Sequence, residues 1–131
     1  MTLLEALVRY GIACGVVEGD GVDAYRDFMP ETPDDVIVFA EYEGSPTSPM
    51  FGAVHRSVQV KTRSRNAAAA REKAVQLFTI FNPTSEDRRV DFTKDLWGQV
   101  YVRQPPYKLS QDSSDRTIYC FNLGITTNII D

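Results

Sequence analysis

Residues 28–44 read Phe-Met-Pro-Glu-Thr-Pro-Asp-Asp-Val-Ile-Val-Phe-Ala-Glu-Tyr-Glu-Gly. Pro30 and Pro33 fix their own φ angles and remove backbone donors, so the first part reads as a stiff loop. From Val36 the residues turn β-branched and aromatic, and at first they are consecutively apolar. That pattern predicts a strand over Val36–Tyr42 buried on both faces, ending at Glu43-Gly44. The loop is suited to rigidity and the strand to burial. Neither carries a nucleophile, a metal cluster or a phosphate cradle, so the best-specified feature of the chain is architectural.

Toward the N-terminus, Thr2 and Glu5 form a capping box, and Leu4, Leu7 and Val8 follow at helical spacing. They predict a helix over Leu3–Ala13, weakened at its end by Gly11 and Gly15. Residues 16–25 have little periodicity and read as a turn or a short strand. Toward the C-terminus, residues 44–52 hold two Ser-Pro or Thr-Ser-Pro steps and read as a loop. Val58, Val60 and Thr62 then alternate with Gln59, Lys61 and Arg63, a half-exposed strand with its charged set facing outward.

The clearest helix opens at Ala67–Ala70, where Ser64 or Asn66 can cap it. Ala70, Ala74, Leu77, Phe78 and Phe81 share one stripe, Arg71, Glu72, Lys73 and Gln76 lie opposite, and Asn82-Pro83 ends it. Val90 and Phe92 alternate with polar neighbours, and Trp97–Val102 reads as a strand. Pro105-Pro106 breaks the pattern, residues 111–115 form a polar turn, and Thr117–Thr127 is a long final strand. The order predicts an α+β fold: a mixed, mainly antiparallel sheet with two helices packed on one face, in one domain over residues 1–131.

The 131 residues are 43% hydrophobic and 24% charged, ordinary for a globular chain. Lys plus Arg number 14 against 18 Asp plus Glu, a net charge of -4. That sign opposes dedicated nucleic-acid binding, which needs a basic patch for counterion release, although DNA can still pass without sticking. Cys14 and Cys120 lack metal-type spacing and read as two buried, reduced thiols. No apolar run reaches the ~18 residues of a membrane span. With no basic leader at its start, the chain is expected to be made and folded in a cytoplasm.

His55, the only histidine, has no nucleophile or orienting acid in its local sequence, so no triad or metal set is expected. Asp34-Asp35 could be paired carboxylates, but aspartates after a proline more often cap a turn. The closely spaced glycines from Gly11 to Gly21 lack the strand and Lys-Ser/Thr of a phosphate loop. Lys61, Arg63, Arg65 and Arg71 read first as a solvated basic face. Glu41 and Glu43 share one side of their strand, as a solvated edge or as the lining of an acidic opening. Met50 and Phe51 lie in a proline-bounded loop. Pro105, Pro106 and Tyr107 form a rigid apolar tip. Each of these two segments is either a loop anchor or a docking element. No catalytic residue, cofactor or metal is expected.

The ordered set of motifs resembles the small virion proteins of long-tailed bacteriophages known as minor capsid or tail terminator proteins. It rests on residues 29–35 and the strand ending Glu41-Tyr42-Glu43-Gly44, then Val58-Gln59-Val60-Lys61-Thr62-Arg63 and Ala70-Arg71-Glu72-Lys73-Ala74. Gln104-Pro105-Pro106-Tyr107, the polar turn and Phe121-Asn122-Leu123 complete it. The resemblance implies an α+β subunit of a ring, expected to be hexameric, at the head-proximal end of a tail tube. Such a ring stops tube polymerisation and meets the head connector or stopper. Its partners would be further copies of itself, the major tail tube protein and the connector, with genomic DNA passing through unbound. Glu41 and Glu43, or the acidic residues near Asp20, would then face the lumen. Another head–tail joining role (neck, adaptor or stopper), a small enzyme or ligand-binding domain, and a cytoplasmic regulatory module stay open as alternatives.

Overall fold

A computed structural model describes residues 1–43 and 52–131. Its elements run α1 (Leu3–Ala13), β1 (Ala24–Arg26), β2 (Val36–Tyr42), β3 (Val54–Ser64), α2 (Ala67–Ile80), β4 (Arg89–Asp91), β5 (Trp97–Val102), β6 (Tyr107–Gln111) and β7 (Thr117–Thr127). The strands form one sheet in the order β1-β2-β3-β7-β5-β4. Among the described strands only β1 and β2 pair in parallel; the other pairs are antiparallel. β3 covers one edge of β7 along its full length. The other edge is shared: β6 takes the first part of β7 and β5 the last. The expected α+β fold is the one observed.

Both helices begin as their sequences dictate. Thr2 Oγ1 accepts from the Glu5 amide at 3.2 Å, and Asn66 Oδ1 accepts from the Ala69 amide at 3.2 Å. Helix α1 lies over β1 and β2, and α2 over β3 and β7. Ladder register puts Ile37, Phe39, Val58, Val60, Phe121, Leu123 and Ile125 on the helix-covered face, where all are buried. Phe81 joins the layers, with its ring centroid 5.5 Å from Tyr10 of α1 and 6.0 Å from Phe39 of β2. Gly11 is required by close approach: a Cβ there would lie 2.6 Å from Cγ2 of Val17.

Three expectations need correction. Arg63, assigned to the exposed phase of β3, is 3% exposed, because a loop folds over its end of the sheet. Cys120 is buried, but Cys14 is exposed, since it follows the last turn of α1 and points away from the core. Tyr107 opens β6 rather than ending a strand, and Gln111 belongs to β6 rather than to a turn. All five β6 residues are exposed, so no burial pattern marks this strand in the sequence.

Candidate functional site

The sheet has one face without helices, and its two ends differ. At one end lies the loop at residues 28–35, which has few backbone donors and needs outside partners for its carbonyls. Three guanidiniums supply them, each offering a fork of donors. Arg63 donates to the carbonyls of Pro33 (2.7 Å), Asp34 (3.1 Å) and Glu31 (3.4 Å). Arg116 donates to the Glu31 carbonyl and pairs with the carboxylates of Asp112 (2.8 Å) and Glu31 (3.2 Å). Arg65 holds the Asp34 carboxylate at 2.8 Å and the Ser114 carbonyl at 3.0 Å. Burial and the neighbouring Arg116 lower the Arg63 pKa, against an upward pull from Asp112, Glu31 and Asp34.

The same network depresses two carboxyl groups. The hydrogen bond from Arg65 holds Asp34 below the usual carboxylate range, and the backbone amide of Arg116 does the same for Asp112. A depressed folded-state pKa stabilises the fold above the unfolded value, and that contribution is lost as pH falls through the folded one. Acid titration of the wild type should therefore show stability declining below about pH 4. Asp34→Asn should flatten that decline in urea melts taken across the same range, and an unchanged slope would count against the clamp.

The other end of this face is open. Register places Tyr42, His55, Gln59, Tyr101, Asn122 and Thr126 there, with Tyr42 and Tyr101 exposed. His55 Nδ1 lies 2.6 Å from Thr126 Oγ1 across the β3–β7 ladder, a cross-strand polar pair and not a catalytic dyad. Arg103 donates to Ser57 Oγ at 3.3 Å, and its guanidinium lies over Gly124, where a Cβ would sit 3.4 Å away. His55, Ser57, Tyr101, Arg103, Gly124 and Thr126 border a hollow of about 340 Å³. Strand β7 contains no charged residue, and Glu41, the one carboxylate of β2, projects to the helix side. Lys61 and Arg103 form no ion pair among the described residues.

On the helix side, Glu41 is not a free carboxylate. Arg56 grips both its oxygens, at 2.5 and 2.7 Å, and also donates to main-chain oxygens of Ile129 and Asp131 at 2.9 Å. Beside this pair a cleft of about 560 Å³ is bounded by α1, β1 and the end of β2. Its lining holds Asp20, Asp27, Glu41 and Asp131 against Arg26 and Arg56, four acidic residues to two guanidiniums. Phe28 at its lip is 59% exposed and stacks edge-on against Tyr25. Glu43 is exposed just beyond β2.

Of the docking segments expected from sequence, Met50 and Phe51 lie outside the described residues. Pro105 is exposed and Pro106 half-buried at the entry to β6, where Tyr107 is 40% exposed. Asp34 belongs to the loop clamp, its carboxylate held by the Arg65 guanidinium. Arg103 and Arg116 escaped the sequence reading. The only signal was their isolation, each a lone cation flanking an apolar or charge-free strand. Among the described residues no group of three or more His, Cys, Asp or Glu is placed to hold a metal, and no helix there is long and apolar enough to cross a membrane.

The profile of a family described as bacteriophage tail terminator protein matches residues 13–129. Among curated proteins no sequence matches. Among solved structures 9 chains match. One belongs to the virion of a native gene transfer agent particle, with a TM-score of 0.63 over 96% of this chain and 94% of that one. At 12% identity this is a likeness of fold. With its profile match spanning nearly the whole chain, the protein belongs to the bacteriophage tail terminator family and is a structural protein of the phage tail.

Proposed function

We propose that this chain is the tail terminator subunit that closes into a ring, expected to be six-membered, at the head-proximal end of a phage tail tube. There it halts tube polymerisation and joins the tail to the head connector or stopper. The observation that carries this reading is the sheet face left open within one copy. It is broad, aromatic and cation-bearing, in a chain of the terminator family. A closed ring needs two different surfaces on each copy that meet by rotation, and such a face is one suitable surface.

The major tail tube protein and the connector are the other partners in this reading. The segment Pro105, Pro106 and Tyr107 at the entry to β6 is one candidate for reaching them, and Met50 and Phe51 are another. The negative balance of the chain suits passage of DNA without specific binding. Glu43 is the better lumen candidate of the expected pair, because Arg56 offsets the charge of Glu41. The subunit would be made in the host cytoplasm and carried in the virion, with no catalytic role. Electron microscopy of particles lacking the protein tests the reading. Tails of uncontrolled length, unattached to heads, are expected; attached tails of normal length would rule out the terminator role.

A further inference from the structure

We infer that the open part of the helix-free sheet face, running from Arg103 to Lys61, is the surface on which the next copy of this chain seats. The side it receives is the acidic cleft at Asp20. This names the contact within the ring proposed above and rests on that reading. The first support is charge segregation. The chain is net negative, yet the described open face of β2, β3, β7 and β5 carries Lys61 and Arg103 and no carboxylate, and the acid that β4 adds to this face, Asp91, is paired with Arg89 at 2.8 Å. The cleft on the opposite, helix side has acid in excess, four acidic residues to two guanidiniums, with Asp27 and Asp20 at its rim, Asp20 paired with Arg26 at 3.2 Å.

The second support is shape and polarity. The open face offers a hollow of about 340 Å³ walled by Tyr101 and Arg103, and the cleft presents Phe28, 59% exposed, at its lip. Aromatic and arginine anchors beside a recess are what interface centres are made of. Because the two surfaces lie on different sides of one subunit, joining them is heterologous and repeats around a ring. Duplex DNA is the competing occupant of a cationic face. Two cations without an ion pair among the described residues release few counterions, whereas a neighbouring copy supplies a matched acidic surface. The assignment places Asp20 in the subunit contact and leaves Glu43 as the lumen candidate.

The test is capping of purified tail tubes by the full chain, scored by electron microscopy. Arg103→Glu and Asp20→Arg should each reduce capped ends at least tenfold, while Arg71→Glu on the outer face of α2 should cap normally. Arg103→Glu combined with Asp20→Arg should restore capping. Thermal melts check that each variant folds; should Arg103→Glu fail to fold, Lys61→Glu takes its place. Wild type that never caps tubes overturns the ring and this contact together. Wild type that caps while Arg103→Glu caps equally well overturns the contact alone, as does a double variant that stays inactive. Normal rings of Arg103→Glu that lose retention of duplex DNA on a filter would also overturn it, giving the face to DNA.

Discussion

Arg63→Ala should destabilise the fold by about 3 kcal/mol, because three loop carbonyls lose a charged donor at once, the bond to Pro33 being short at 2.7 Å. For a chain of this size that corresponds to a fall of roughly 10 °C in melting temperature. The loss is not made good by water, since the side chain lies beneath the loop and the residue is 3% exposed. Arg63→Lys should recover only part of it, because an ammonium is a compact point charge that cannot span carbonyls as a planar fork does. Limited proteolysis should show cleavage moving into residues 28–35 in the alanine variant. A loss below about 1 kcal/mol, the worth of one ordinary hydrogen bond, would mean that Arg116 and Arg65 hold the loop unaided.

Phe81→Ala should cost more, about 4 kcal/mol, as expected for an aromatic ring removed from a full core. Phe81 is completely buried at the C-terminal cap of α2 and touches rings from α1 and β2. Its removal therefore opens a cavity where α1, α2 and β2 meet. Phe81→Leu should cost about 1.5 kcal/mol, since most of the volume is kept. A double-mutant cycle between Phe81 and Phe39 should return a coupling of about 1 kcal/mol for the edge-to-face pair. Additive effects in urea denaturation would show that the rings share the core without interacting directly.

Much of the fold was legible because local rules and burial agreed. Helix α1 and strands β2, β5 and β7 have the bounds their periodicity predicts, and the caps at Thr2 and Asn66 are made by the residues whose chemistry suits them. Strand β6 was not legible. Tyr107, Lys108, Leu109, Ser110 and Gln111 are all exposed, so nothing alternates, and the strand exists because β7 offers it a ladder. Strand β1 is three residues long and likewise depends on its neighbour β2.

The surfaces were less legible than the core, and Arg63 shows why. Its place in the alternation put it on the outer face, and it does lie there. Whether that face is wet depends on a loop about 30 residues earlier in the chain, which sequence spacing cannot bring to it. Glu41 is the converse case: its side of the strand was readable, but not the guanidinium of Arg56 that offsets its charge. From sequence alone came the element types, most of their bounds, the α+β class and the resemblance to tail terminators, because these follow from short-range periodicity, capping and ordered motifs. The tertiary structure alone decided which charges are paired and which sheet face stays uncovered. Those properties arise from groups distant in sequence meeting in space, where desolvation and partner geometry determine what each charge can do.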